Sequence, residues 1–192
     1  MLRTTIDTAY MKRTLRELYS YGASTPKDCL LDPAWNRSSD IYPGMGVVNF
    51  ASNANGISDL VTIPNAAADI PYGLIGVYCA PMLGIDEVRD SGVNAVPVWV
   101  LSAGSEFEVL APAFDATAVW TFPTDGTELL VYVATAATGV APVGGAPDLR
   151  TWPGQLVPAA NVGHTTKPIA RAISRPSTNR LIISGLSVGG AY

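Results

Sequence analysis

AVPVWVLSAGSEFEVLAPAF, residues 95–114, is the stretch on which the fold turns. It reads as two strands joined around the small residues Ser102-Ala103-Gly104-Ser105. In the second, Phe107, Val109 and Ala111 alternate with Glu106, Glu108 and Leu110, the two-residue period of a strand with one face toward a core. Upstream, YGLIGVYCAP (72–81) is a continuous apolar run too short for an ordinary helix, which predicts a buried strand. DLVTIP (59–64) is a short strand bounded by Pro64, and GMGVVNFAS (44–52) a loosely alternating one that ends at the turn signal Asn53-Ala54-Asn55-Gly56. Downstream, AVWTFPTDGTELLVYVATAA (118–137) predicts a hairpin with Asp125-Gly126 in its turn. KPIARAISR (167–175) and RLIISGLSV (180–188) give two last strands around Pro176–Asn179. Strands at this spacing, with turn chemistry between them, predict a mainly β chain, a barrel or a sandwich. Residues 138–160, rich in Gly, Pro and Ala and without periodicity, are expected to form a long loop.

The N-terminus reads differently. Thr4-Thr5-Ile6-Asp7 resembles a capping box, Ile6, Tyr10, Leu15, Leu18 and Tyr19 make an approximate helical stripe, and Gly22 is a natural stop. An amphipathic helix is therefore expected over about 5–21. The Pro- and Asp-punctuated stretch from Gly22 to Gly44 is expected to be an arm or linker rather than an element. The organisation expected is an N-terminal arm over 1–40 and a β-domain over 41–192, in which 116–192 either completes one barrel or builds a second lobe.

Composition bounds the function. Of 192 residues, 48% are hydrophobic and 15% charged, so a core is plentiful and the charged surface thin. Either a partner covers part of the apolar surface, or the chain is a soluble β-domain rich in Ala, Val and Gly. No stretch of about 18 apolar residues exists to span a membrane, and the charges of MLRTTIDTAYMKRTLRELY leave no apolar core for a signal peptide. Cys29 and Cys79 lack metal or redox spacing; a single disulfide between them has no support in the sequence, and free thiols in a protein made in a reducing cytosol are expected.

The formal net charge of −4 conceals a strong segregation. Arg3, Lys12, Arg13, Arg16 and Lys27 face only Asp7 and Glu17 in residues 1–27. Arg150, Lys167, Arg171, Arg175 and Arg180 face no acid in 149–192, and all the remaining acidic side chains fall between, with Arg37 and Arg89. Two basic ends either reach toward anionic surfaces or fold back on the acidic body. Dispersed basic residues with few interleaved aromatics do not make a nucleic-acid surface.

Chemical motifs fail one by one. Gly185-Leu186-Ser187-Val188-Gly189 matches the nucleophile elbow of serine hydrolases, but only three residues follow Gly189, too few for the helix the elbow needs. The one histidine, His164, sits in a polar turn and is expected to be a hydrogen-bonding loop residue. Asp86, Glu87 and Asp90 lack the spacing of a calcium loop, and Arg89 offers a local partner. Glu106 and Glu108 share one strand face, an arrangement open to glycoside hydrolysis, with a solvent face as the ordinary reading. PVGGAP and SVGGAY lack the Lys-Ser/Thr of a phosphate loop. No catalytic residue, cofactor or metal ligand is assigned. Trp99 and Trp120 are expected in strands; Trp35 and Trp152, on loops, are candidate interface anchors or local caps of the barrel.

The order of YPGMGVV, PYGLIGVYCAP and VPVWVLSAGSEFEVLAP, with Pro43 and Gly44, Gly73 to Gly76, Gly104, Phe107 and Pro112 at the matching positions, resembles the head decoration proteins of tailed bacteriophages, the lambda-type cement fold. The resemblance implies a small β-barrel, or β-tulip-like, domain with an N-terminal arm and, here, an extended C-terminal β region. It implies a homotrimer on the outer surface of the virion capsid that clamps adjacent major capsid subunits after maturation. The partners implied are the major capsid protein and the chain's own copies. On this reading Arg3, Lys12, Arg13 and Arg16 contact acidic capsid patches, while Tyr10 and Leu18 pack apolar surface. The alternatives are a tail-tube or head–tail adaptor protein, then a β-sandwich that binds carbohydrate, then a serine hydrolase.

Overall fold

The computed structural model describes residues 14–19, 26–31, 42–49, 60–76, 95–137, 151–161 and 163–186. Eleven strands run through them: β1 (Leu15–Tyr19), β2 (Pro26–Leu31), β3 (Gly46–Asn49), β4 (Leu60–Thr62), β5 (Pro71–Ile75), β6 (Ala95–Trp99), β7 (Glu106–Leu110), β8 (Leu129–Val133), β9 (Leu156–Pro158), β10 (Ala170–Ser177) and β11 (Arg180–Gly185). They form two sheets. Strands β2-β4-β3-β5-β6 close into a barrel, and β1-β7-β11-β10-β8-β9 form a six-stranded sheet. Every pairing is antiparallel except β2 with β4.

Alternation dictates which faces are buried. In β7, Phe107 and Val109 are fully buried, and their registered neighbours in β11, Ile183 and Leu181, are buried with them. Val131 and Val133 of β8 continue that inner face. Val47, Val61, Leu74 and Val98 fill the barrel from β3, β4, β5 and β6. All of them belong to one hydrophobic cluster, so the barrel and the sheet share a core. The contact is close at Gly46, where a Cβ would stand 2.4 Å from Val133 Cγ2. A side chain there would hold β3 off the sheet, so the first strand of YPGMGVV needs a glycine at this point. The Gly46 amide donates to the Gly154 carbonyl at 2.8 Å, which ties the barrel to the turn before β9.

Several expectations are corrected. The helix over 5–21 is replaced at residues 15–19 by β1; its remaining residues, apart from Thr14, lie outside the described residues. The cause is non-local: Leu15 pairs with Val109 and Arg16 with Glu108 along β7, and Leu15 is 4% exposed in the shared core. Pairing with a formed strand satisfies the backbone and buries Leu15, and so outweighs a weak local helical preference. The linker after Gly22 contains β2, whose first residue is Pro26, a position where the missing amide costs no ladder bond. Cys29 of β2 is 1% exposed; Cys79 lies outside the described residues.

The predicted hairpin over 118–137 has only its second strand, β8. The first half folds back instead: Trp120 Nε1 donates to the Asp115 carbonyl at 2.9 Å, and its ring meets Phe114 edge-on at 5.9 Å. Trp120 is thus a buried loop residue, whereas Trp99 is in a strand as expected. Of the long loop over 138–160, residues 138–150 lie outside the described residues and the end carries β9.

Candidate functional site

The outer face of the sheet carries its most concentrated charge. On β7 the odd positions point inward, so Glu106, Glu108 and Leu110 project from the opposite face. Arg16 stands opposite Glu108 on β1, and Arg180 stands opposite Leu110 on β11, one diagonal step away. Both arginines turn to Glu108. Arg16 Nε lies 3.3 Å from Oε2, while Arg180 Nε donates to Oε1 at 2.7 Å and Arg180 Nη2 donates to the same oxygen. Glu108 is 7% exposed, whereas the arginine side chains are 56% and 47% exposed. The carboxylate is a buried peg that holds two half-solvated guanidinium groups side by side. Their exposure keeps each ion pair worth at most about 1 kcal/mol to the fold.

A second polar centre is structural. Asp115, 5% exposed, accepts from Thr117 N (2.8 Å), Thr117 Oγ1 (2.6 Å) and Ala118 N (3.1 Å) on Oδ1. Its Oδ2 accepts from Thr151 Oγ1 (2.5 Å) and Asn161 Nδ2 (3.2 Å). Burial pushes this carboxyl up, but the bonds from Thr117, Thr151 and Asn161 outweigh burial and hold it below its ordinary value. Donors on every side leave no room for a cation. Arg175 closes the same corner: its Nη2 donates to the Ala116 and Thr178 carbonyls, and its guanidinium lies 5.9 Å from the Phe114 ring centre.

A shallow hollow of about 120 Å3 is lined by Tyr42, Met45, Pro112, Trp152 and Gln155. Its central amide is committed, since Gln155 Nε2 donates to the Pro112 carbonyl and Oε1 accepts from Trp152 N. Small-molecule sites run to roughly 300 Å3 and above, so the hollow is too small for one. Among the described residues no three His, Cys, Asp or Glu side chains gather around a common metal position, and no helix is long and apolar enough to cross a membrane.

The described surface presents two half-exposed arginines held on one buried carboxylate, which fits a chain that works by contact. Residues 1–186 match the family model described as phage cement protein. The chain belongs to that family. No curated protein and no solved structure matches it. As a phage cement protein it is a capsid-associated structural component of the virion, which is where the resemblance of its strand order pointed.

Among the residues that sequence reading selected in this cement protein, Arg16 and Leu18 lie on β1, Arg16 in the charged cluster and Leu18 half-buried. Arg3, Tyr10, Lys12, Arg13 and Trp35 lie outside the described residues, as do Ser187, Asp86, Glu87 and Asp90. Trp152 is half-buried and lines the hollow together with Tyr42 and Pro112. Glu108, weighed as half of a sugar-cleaving pair, has both oxygens engaged by guanidinium groups. His164 is a loop residue as expected: its Nδ1 is 2.6 Å from the Thr165 carbonyl, and its ring lies 4.5 Å from Tyr132.

The first glycine of the elbow motif has a packing role. Gly185 ends β11, and a Cβ there would stand 2.1 Å from the Ser102 carbonyl oxygen. Sequence reading missed Arg180 as a functional candidate. The signal available was its place at the start of a strand in an acid-free basic tail; its proximity to Arg16 depends on two strand pairings that the sequence does not state.

Proposed function

We propose that this chain is a decoration protein that binds the outer surface of the phage capsid and stabilises the mature shell by clamping adjacent major capsid subunits. The observation that carries this reading is the match to the cement family over residues 1–186. The chain binds as a homotrimer, so that modest contacts at each site combine into firm attachment. The basic N-terminal segment, with Arg3, Lys12, Arg13 and Arg16 for charge and Tyr10 and Leu18 for apolar contact, lies on the shell. Trp35 and Trp152 serve as anchors between neighbouring chains.

The test is co-sedimentation of the purified chain with expanded shells that lack it, followed by heating of loaded and bare shells. Saturable binding at a fixed copy number and a higher disruption temperature are expected. Failure to sediment, or rings and tubes formed in solution without shells, would sink the reading in favour of a tail or adaptor protein. Removal of residues 1–13 leaves β1 in place and is expected to weaken shell binding without unfolding the chain; unchanged occupancy would exclude the N-terminal segment from the contact.

A further inference from the structure

We propose that the Arg16–Glu108–Arg180 cluster is a docking point for a carboxylate side chain on an acidic patch of the capsid shell, an inference that rests on the capsid-binding reading above. Two cations share one anion, so the cluster keeps one positive charge uncompensated. The hydrogen-bonding groups are uncompensated too. Arg16 uses only Nε, and Arg180 uses Nε and Nη2 on one oxygen. Both Nη atoms of Arg16 and Nη1 of Arg180 make no hydrogen bond to a described residue, on side chains that are half-exposed. Among the described residues the other arginine–carboxylate pair differs: Arg171 is matched one to one with Glu128.

The buried carboxylate restrains both guanidinium groups before any partner arrives. Less side-chain freedom is then lost on binding than for two loose arginines. Guanidinium forks match the two oxygens of a carboxylate, and ionised hydrogen bonds of this kind are the strong ones. Half-buried Leu110 and Ile182 border the cluster on the same sheet face, giving the arginine-beside-apolar character of a protein interface centre. A nucleic acid is the poorer fit, since a phosphate backbone asks for a line of several cations and the cluster offers one net charge.

The experiment measures half-saturation of cement-free shells by the full chain across a range of salt. Wild type is compared with Arg16→Gln, Arg180→Gln, Arg180→Lys and, as control, Arg171→Gln. Each Gln variant is expected to need about tenfold more protein and to show a flatter salt dependence. Arg180→Lys keeps the charge without the fork and should recover only part of the loss, while Arg171→Gln should stay within about twofold of wild type. If wild type does not sediment, the capsid reading itself falls. If wild type sediments and the Gln variants bind equally well, the carboxylate dock is overturned and the capsid reading stands. Should thermal melts show that the variants do not fold, competition on wild type decides. Displacement by hexaglutamate but not by an equally charged oligonucleotide supports the dock, and any other pattern overturns it.

Discussion

Replacing Asp115 tests whether one carboxylate holds the corner where the segment after β7 meets β9. Its five donors come from three places in the chain: Thr117 and Ala118 beside it, Thr151 before β9, and Asn161 after β9. Thr117 is exposed, so water replaces its two bonds in an alanine variant at a cost of about 0.5 kcal/mol each. Ala118 and Asn161 are half-buried and stand to lose about 1 kcal/mol apiece. The Thr151 hydroxyl is buried and, left without an acceptor, costs about 2 kcal/mol. Asp115→Ala is therefore expected to destabilise by about 4–5 kcal/mol, a fall in Tm of about 10–15 °C for a chain of this size.

Asp115→Asn separates the two oxygens. Its remaining oxygen serves the three donors of Thr117 and Ala118, and its amide nitrogen faces Thr151 and Asn161, for a cost of about 2 kcal/mol. Urea and thermal unfolding followed by tryptophan fluorescence read both, since Trp120 is hydrogen-bonded to the Asp115 carbonyl. The carboxyl also leaves a pH signature. Its folded value is depressed from 3.8, so its contribution is complete above about pH 4 and is lost as pH falls through the lower folded value. The gap between wild type and Asp115→Asn should narrow over that acid range and stay constant above it. An Asn variant within about 0.5 kcal/mol of wild type at neutral pH, or a gap that widens in acid, would refute the reasoning.

Two further substitutions probe the shared core, with Gly126→Ala as a control in an exposed turn. Gly185→Ala drives a methyl into the Ser102 carbonyl at 2.1 Å and should cost about 2–4 kcal/mol by thermal melt. Gly126→Ala, at φ +83° with nothing within 4 Å, should cost only about 1 kcal/mol, and equal costs would show that the close approach at Gly185 is relieved elsewhere. Phe107→Ala empties a fully buried site that packs edge-on to Trp99 at 5.5 Å; a loss of about 3–5 kcal/mol is expected in urea, and a loss under about 1 kcal/mol would place Phe107 outside the core.

Strands that carry their own pattern were legible in the sequence. Phe107 and Val109 alternate with acids, and the apolar runs before Gly76 and after Arg180 are bounded by turn residues, so β5, β7 and β11 could be placed from side chains alone. β1 could not, because Leu15, Leu18 and Tyr19 fit a helical spacing as well as a short strand, and the ladder with β7 that decides between them joins distant residues. The loop after Phe114 was hidden for the same reason: Asp115 looks like any turn acid until Thr151 and Asn161 arrive beside it. The charged cluster was half legible. Arg16 stood out as a basic residue of the N-terminal segment, but Glu108 and Arg180 acquire their roles only from register.

The course of the chain through the two sheets has a mechanical consequence. It leaves the sheet after β1, traces the whole barrel from β2 to β6, and re-enters the sheet at β7, directly beside β1. Within the barrel, β2 and β6 are also neighbours, so the outgoing and returning strands lie together on both sides of the crossing. The barrel is thus a loop cinched at its neck by a double seam. A pull on the N-terminal segment meets the β1–β7 ladder first, and β7 passes the strain sideways through β11 into the rest of the sheet. The barrel lies downstream of that anchor along the chain, so the sheet meets the load before the barrel does.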